Sequence, residues 1–376
     1  MKIDPRLLEL HFSEISNEWA TASLNCYSNA KKLHYHEQLG RLYGVLAQLD
    51  FHVLSDAERK EVKGMLDFFT ASLTYLKNST INTVPYELIY ALRCAMKDWI
   101  GEYAENYILV TSYADYCILY TLALFQDYQC MEFHGIKFPS RLIQICLPKA
   151  NEKNYLSNVA LYHELGHFIA EKYNIYQLVA FSLWRNRGDK TVRYFFWEIE
   201  KYEDEKLMFA RFKDYIMEYF ADLFAAQYIG RSLIHYLEYV ACDGKDIQTH
   251  PATQKRCELM DSFLNGDENH TIIRFFQSAT KQRTGLKLEI RNLDLPASAD
   301  FYRLLPYCIT DERQLHSLFQ IGWDIWLHHT DEFEQENQIP PQYKLKPQQK
   351  FNMLNNLIEK SINNYIVIQN WKETHE

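Results

Sequence analysis

Two histidines and a glutamate lie close together in residues 161–170, where His163 and His167 are four positions apart and Glu164 lies between them. On an α-helix, residues i and i+4 lie one turn apart on the same face, so both imidazoles can reach one metal ion. Glu164 then lies about 100° round the helix, toward a water molecule on that ion. The spacing therefore predicts a helix that carries two ligands of a Zn²⁺ site and a general base.

The residues around this motif favour a buried helix. Gly166 lies inside it, where glycine costs about 1 kcal/mol relative to alanine. We therefore expect a neighbouring backbone or a substrate to approach closely at this glycine. Apolar residues also recur at helical spacing, so that one side of the helix can be buried while the histidines lie on another. They are Val159, Leu161, Leu165, Phe168 and Ile169.

A catalytic zinc site needs a third protein ligand and keeps its fourth position for water. Residues 206–229 form an amphipathic helical pattern whose apolar face contains Glu218 and Asp222. Burying a carboxylate is costly unless it meets a metal or a cation. We therefore expect Glu218 to be the third ligand and Asp222 to accept a hydrogen bond from a ligand imidazole. The acidic cluster within 198–205 is the alternative source of the third ligand.

A third motif follows at His250 and Pro251, with Arg256 six residues after the histidine. Pro251 favours the first turn of a helix, which predicts that His250 lies at a helix entrance. In this order, the three motifs resemble those of the HtpX and CAAX prenyl endopeptidase family of gluzincin metallopeptidases. The resemblance covers residues 161–259 of a chain of 376.

The resemblance implies a zincin-like catalytic core. In that core His163, His167 and Glu218 would bind zinc, and Glu164 would be the general base. The zinc-activated water would then attack a peptide carbonyl.

Three further roles are implied by the same resemblance. Asp222 would orient a ligand and pair with Arg256, and His250 would bind the substrate carbonyl or stabilise the oxyanion. A donor beside the metal is what a tetrahedral intermediate needs. The membrane spans of that family are missing here, because the longest apolar run, 117–125, is about half a span. The family's substrates are therefore not carried over.

The composition predicts a mainly α fold with some β structure. Tyrosine and phenylalanine are plentiful, at 27 and 22, while 12 glycines are few, and this pairing favours long helices over turn-rich sheets. A net charge of −9, without a basic cluster interleaved with aromatics, argues against a nucleic-acid partner. The N-terminus has no apolar segment typical of a secretory signal. Eight cysteines without a C-x-x-C pair indicate reduced core residues, so we expect a soluble, cytoplasmic protein.

Three regions are expected along the chain. Residues 1–100 form a helical N-terminal region, in which Ser55 and Glu58 make a capping box that begins a helix to about residue 76. Residues 101–265 form the metallopeptidase core with a small sheet. Residues 266–376 form a helical C-terminal region.

One strand is expected within the core. Residues 141–147 are mostly apolar and precede a proline, which is typical of a strand. We expect it to be an edge strand ahead of the metal-binding helix, where an extended substrate could add by main-chain hydrogen bonds.

The sequence thus predicts a zinc-dependent metalloendopeptidase that hydrolyses peptide bonds of a selective protein substrate, in a regulatory or host-defence role. The helical flanks suggest a regulatory protein partner. One alternative is a non-catalytic scaffold in which the zinc is structural, and another is a zinc hydrolase that acts on a non-peptide amide or ester. Glu164 discriminates against the scaffold, since a structural site has no use for a general base.

Overall fold

The computed structural model gives a mainly helical fold with a small sheet, as the composition predicts. The chain divides into two compact units, Met1–Ile89 with Glu102–Glu152, and Tyr90–Gly101 with Lys153–Glu376. Among the helices that the structure describes, none combines the length and apolar character needed to cross a membrane. The described residues are 2–27, 30–77, 80, 86–114, 122–124, 131–148, 151, 154–247, 249–295 and 299–375.

The first unit begins with three helices, and local caps set the starts of the first and the third. Asp4 accepts a hydrogen bond from the Arg6 amide ahead of the first helix. The predicted capping box is confirmed, because the Ser55 amide donates to Glu58 Oε2 at 2.7 Å and the Glu58 amide donates to Ser55 Oγ at 3.4 Å. A fourth helix contributes residues to both units. These helices are α1 (Pro5–Ala22), α2 (Ala30–Leu46), α3 (Asp56–Lys77) and α4 (Tyr86–Ile100).

Within the part of the chain that the structure describes, five short strands complete the first unit. They are β1 (Tyr107–Ala114), β2 (Leu122–Leu124), β3 (Met131–Phe133), β4 (Ile136–Phe138) and β5 (Arg141–Pro148). Strands β3 and β4 form a separate antiparallel hairpin, whose turn contains Gly135 at a φ of 78°. The left-handed backbone at that turn favours glycine.

The expected strand at 141–147 is present as β5, but its expected position at a sheet edge is wrong. The sheet order is β1-β5-β2, so β5 is the central strand. It pairs in parallel with β1 over its whole length and antiparallel with β2 from Ile143 to Ile145. An apolar run predicts a buried strand, but it does not say how many neighbours the strand has.

The first three helices share one hydrophobic core with strands β1, β3, β4 and β5. Phe138 of β4 packs against Tyr35 of α2 and Phe68 of α3, with ring centroids 5.1 and 4.8 Å apart. Ile108 of β1 and Leu142 of β5 are buried in the same cluster. The first compact unit therefore contains the sheet together with the N-terminal helices. The boundaries between the two units differ from those expected after residues 100 and 265. The three-region division itself stays a prediction.

In the second unit, the regular structure of the described residues is entirely helical. A polar loop separates α6 from α7, and Asp189 in that loop accepts hydrogen bonds from the first amides of α7. The helices are α5 (Ala160–Lys172), α6 (Ile175–Arg185), α7 (Lys190–Phe196), α8 (Glu205–Ile229), α9 (Ser232–Ala241), α10 (Thr253–Leu264), α11 (Thr271–Thr284), α12 (Ala299–Tyr302), α13 (Gln314–His328), α14 (Thr330–Glu336) and α15 (Pro347–His375).

Helix α8 is exposed at its start and buried in its second half. Asp204 caps its start by accepting hydrogen bonds from the amides of Lys206 and Leu207, at 2.7 and 3.2 Å. From Glu218 to Ile229 every residue is buried, polar residues included. The helix predicted at 206–229 is thus confirmed, and its two carboxylates lie inside the protein.

Gly166 lies where α5 crosses α8. A Cβ atom at this position would lie 2.8 Å from the Cα of Ala221 and 3.0 Å from the Cβ of Phe224, both in α8. Real Cβ atoms do not approach a backbone that closely, so only glycine fits without movement of the helices. The close approach expected from the sequence is confirmed, and the approaching group is the backbone of α8.

We predict that Gly166→Ala lowers the free energy of unfolding by about 1–3 kcal/mol, because the new methyl group forces α5 away from α8. Thermal unfolding followed by circular dichroism measures this change. Gly64→Ala in α3 is the matched control, since no described atom lies within 4 Å of a Cβ there. That control should be stable to the same degree or better, by up to about 1 kcal/mol. An equally stable Gly166→Ala protein would contradict the tight crossing.

Candidate metal centre

Helix α5 presents the two histidines and the glutamate as the spacing predicts. The Nε2 atoms of His163 and His167 lie 3.0 Å apart. One ligand atom from each of His163, Glu164 and His167 can be chosen so that all lie within 4.8 Å of one another. All three side chains sit in or at the edge of the protein interior, with His163 and Glu164 each 8% exposed.

Helix α8 brings Glu218 to the same place. Its Oε2 lies 3.4 Å from Nε2 of His163, and its Oε1 lies 3.5 Å from Nε2 of His167. Because Glu218 is 51 residues beyond His167, only the crossing of α5 and α8 makes this proximity.

The acids of the 198–205 cluster are used differently. Glu200 faces Arg193, with an oxygen to nitrogen distance of 3.3 Å, and Asp204 caps α8. Glu203 and Glu205 are exposed, and the side chain of Glu198 lies outside the described residues. Of the two expected sources of a third ligand, the structure therefore places Glu218 beside the histidines.

The three side chains fit a tetrahedral metal ion. Ligand bonds of about 2.05 Å in a tetrahedral site put neighbouring ligand atoms about 3.3 Å apart. The two Nε2 atoms are 3.0 Å apart, and each lies close to a different oxygen of Glu218, with His163 at 3.4 Å from Oε2 and His167 at 3.5 Å from Oε1. Oε2 of Glu218 is also buried, and no described group donates a hydrogen bond to it. A cation is the partner that such an oxygen and two imidazoles would suit.

Asp222 and Arg256 form a buried pair behind the histidines. Arg256 of α10 donates to both oxygens of Asp222, from Nε and from Nη2, each at 2.7 Å. Asp222 Oδ1 also lies 2.9 Å from Nδ1 of His163, although the angle at that nitrogen falls outside hydrogen-bond geometry. The structure thus brings His163, Asp222 and Arg256 together. The sequence analysis connected Asp222 with a ligand imidazole from the residues themselves, and connected Arg256 only through the family resemblance.

The electrostatics differ between the two histidines. Burial alone would lower the pKa of His163, but the carboxylates of Asp222 and Glu218 outweigh it and raise that pKa to about 10. Burial, reinforced by the neighbouring His163, lowers the pKa of His167 to about 4. Burial would raise the pKa of Glu218, yet the histidines and Arg256 lower it below its usual range. Glu218 is therefore an anion, as a metal ligand must be.

Glu164 is set apart from the other acids by its surroundings. Burial raises its pKa to about 7, and this outweighs the opposite effect of His163. The value lies near neutral pH, where a carboxylate can both accept and return a proton.

His250 lies at the rim of the site. Its side chain is 46% exposed, and its Nε2 lies 3.6 Å from Oε1 of Glu218. Its other ring nitrogen lies 2.7 Å from the Thr249 hydroxyl. Helix α10 begins at Thr253 with Ala252 as its N-cap. His250 therefore lies slightly farther ahead of the helix than expected from a proline in the first turn.

The loop that carries His250 is held by residues that the sequence analysis missed. Asp246 accepts hydrogen bonds from the Ala252 amide at 2.8 Å and from Lys255 Nζ at 2.6 Å. The Tyr215 hydroxyl of α8 donates to the Ile247 carbonyl at 2.7 Å. Asp246 and Lys255 lie on opposite sides of the His250 motif, and no periodic pattern links them.

A second missed contact lies behind α5. Tyr162, the neighbour of His163 in the chain, has its hydroxyl 2.8 Å from Nδ1 of His316 in α13. Both side chains are buried, and burial lowers the pKa of His316 to about 3. His316 is therefore neutral and can accept a hydrogen bond from the tyrosine hydroxyl, which anchors α5 to α13.

No family model, curated protein or solved structure matches the chain. The class of site is therefore inferred from the chemistry of its residues. It combines two imidazoles and one carboxylate at ligand spacing with a second, less acidic carboxylate beside them.

We predict that Asp222→Asn lowers the free energy of unfolding by about 3 kcal/mol, because it leaves the Arg256 charge buried without its main partner. Urea denaturation of the variant measures the loss. Adding Arg256→Met should restore part of it, since the unpaired charge is then removed. Asp311→Asn, which breaks the exposed pair with Arg313, is the control and should change stability by less than about 1 kcal/mol. A double variant no more stable than Asp222→Asn would argue against the charge explanation.

Proposed function

We propose that this chain is a zinc-dependent metalloendopeptidase that hydrolyses peptide bonds in a selective protein substrate. The observation that carries the proposal is the position of Glu164, within 4.8 Å of the ligand atoms of His163 and His167. In a hydrolase of this class, a carboxylate in that position serves as the general base.

His163, His167 and Glu218 would hold the metal. A zinc ion held there supplies Lewis acidity toward a substrate carbonyl and lowers the pKa of a water molecule. These residues come from two packed helices, so their positions are fixed before a substrate arrives.

Glu164 would take a proton from the attacking water at its carboxylate and return it to the leaving amine. Its raised pKa, about 7, suits both transfers at neutral pH. His250 would donate a hydrogen bond from Nε2 to the substrate carbonyl as negative charge develops there. Its half-exposed ring can meet a substrate while it stays 3.6 Å from Glu218.

Asp222 and Arg256 would position the ligands without touching the substrate. Asp222 lies 2.9 Å from Nδ1 of His163 and favours a proton on that nitrogen, which leaves Nε2 free to bind metal. Arg256 holds Asp222 in place through two hydrogen bonds and compensates its charge.

The proposal extends to the chain's relationships and its place in the cell. The order of the three motifs supports a relationship to the gluzincin metallopeptidases of the HtpX and CAAX prenyl endopeptidase type. The composition and the cysteine pattern support a cytoplasmic location. The many helices outside the site support a regulatory protein partner and a regulatory or host-defence role.

A structural zinc site is the second candidate, and burial favours it. The side chains of His163, His167 and Glu218 are only 10%, 17% and 10% exposed, as in a closed site. Such a scaffold would need neither Glu164 nor His250, so the two candidates differ in what these residues do.

We predict that Glu164→Gln keeps one zinc per chain and lowers hydrolysis by about 10²- to 10⁴-fold, because only the proton acceptor is lost. Elemental analysis gives the metal content. Incubation with a cell lysate, followed by mass spectrometry of new N-termini, gives the cleavage. Glu203→Gln, an exposed change of the same kind, is the control and should cleave like the wild type. Equal cleavage by Glu164→Gln would remove Glu164 from the mechanism.

We predict that Glu218→Ala weakens zinc binding by more than about 100-fold, since loss of even an outer partner of a ligand costs about 10- to 100-fold. Competition with a chromophoric chelator measures the affinity. Glu205→Ala, in the alternative acidic cluster, should bind zinc like the wild type. If Glu218→Ala retained full affinity and Glu205→Ala lost it, the third ligand would belong to residues 198–205.

A further inference from the structure

A cavity of about 210 Å³ lies along α8 near the candidate metal centre. Its volume is below the range of about 300–1,000 Å³ that holds drug-sized ligands, so it suits a single side chain. Two basic residues, Lys201 and Arg211, line it together with apolar and aromatic groups.

The cavity and the metal centre share two parts of the protein. Arg211, Tyr215 and Glu218 follow one another at spacings of four and three residues, which places them on one face of α8. Arg211 is seven residues before Glu218, a distance of about 10 Å along the helix axis. Ile247, in the cavity wall, belongs to the loop that carries His250. A peptide bound at the metal centre can therefore extend over the cavity.

Among the described residues, the Arg211 guanidinium in the cavity wall is only partly hydrogen-bonded. Arg211 donates from Nη1 to the partly exposed Asp214 at 3.0 Å, but its Nε is buried and has no hydrogen-bond partner among the described residues. Asp246, the acid of the cavity wall, is already engaged by Lys255 and by the Ala252 amide. Arg211 therefore has hydrogen-bonding capacity that Asp214 does not use, and its own positive charge favours an anionic acceptor.

We propose that this cavity receives an acidic side chain of the peptide substrate. The proposal rests on the proposed function and adds a specificity to it. The carboxylate of a glutamate or aspartate would accept a hydrogen bond from the Arg211 guanidinium, whose side chain is 25% exposed, while its methylene groups contact Tyr202 and Ile247. An extended peptide rises about 3.3 Å per residue, so the acidic residue would lie about three positions from the cleaved bond.

A binding selection tests the cavity without requiring cleavage. The Glu164→Gln protein, loaded with zinc, is used to select from random peptides displayed through their C-termini. We expect an acidic residue to be enriched at one position, and amidated synthetic peptides that carry it to bind about 10- to 100-fold more tightly than glutamine analogues. No enrichment, or enrichment without an acidic residue, would overturn the proposal. Displayed and amidated peptides have no terminal carboxylate, so binding only by peptides with a free C-terminus would also overturn it.

Charge reversal at Arg211 shows whether this arginine recognises the acidic residue of the peptide. In the same Glu164→Gln background, Arg211→Glu should turn the enrichment toward lysine and arginine, and Arg211→Lys should keep the acidic preference. Arg274→Glu, on the exposed side of α11, is the matched control and should select the same peptides as the parent. An unchanged acidic preference in a folded Arg211→Glu protein would remove Arg211 from recognition.

Cleavage is measured separately, on the selected peptides and with Glu164 intact. Cleavage about three residues from the acidic position supports both proposals. Acid-dependent binding that responds to Arg211 but is followed by no cleavage would contradict the endopeptidase while the cavity assignment stands. Cleavage without any acidic preference would contradict the cavity assignment alone.

Discussion

The site depends on how closely α5 and α8 approach each other. Gly166 lies one residue before His167 and three after His163, and it faces Ala221, which lies between Glu218 and Asp222. The closest backbone contact of the two helices is thus flanked on both sides by the groups that converge. A side chain at position 166 would separate those groups as well as the helices. The spacing of ligand atoms is therefore a consequence of backbone packing between rigid elements, which keeps it constant.

This packing places several charges in a region of low dielectric, where each needs a partner. Asp222 is compensated by Arg256, and Glu218 by the histidines together with Arg256. Because Arg256 belongs to α10, the charge balance of the site requires α10 to be docked on α8. The loop that enters α10 carries His250 and is fixed by the pair of Asp246 and Lys255. One arginine thus connects the stability of the buried acids to the placement of a residue at the rim.

The sequence could predict the parts of this arrangement that depend on local spacing. Helical periodicity predicted α5 and α8, and carboxylates within an apolar stripe indicated Glu218 and Asp222 as buried. Arg256 entered only through the resemblance, because its partner is 34 residues away and no pattern links them. The sequence analysis placed β5 at a sheet edge, whereas β5 is the central strand. It also missed the contact between Tyr162 and His316. Periodicity reports which face of an element is buried, but it does not report what covers that face.

Burial of Glu164 bears on the choice between an enzyme and a scaffold. A carboxylate removed from water loses hydration, and Glu218 beside it adds repulsion, so the ionised form of Glu164 is disfavoured in the fold. A site whose only task was to join α5 to α8 would be more stable with a neutral side chain at this position. A hydrolase gains from the same carboxylate, because a base of raised pKa can take a proton from water near neutral pH. Burial of the Glu164 carboxylate therefore destabilises the fold. Proton transfer in a hydrolase accounts for this cost, whereas a purely structural site does not.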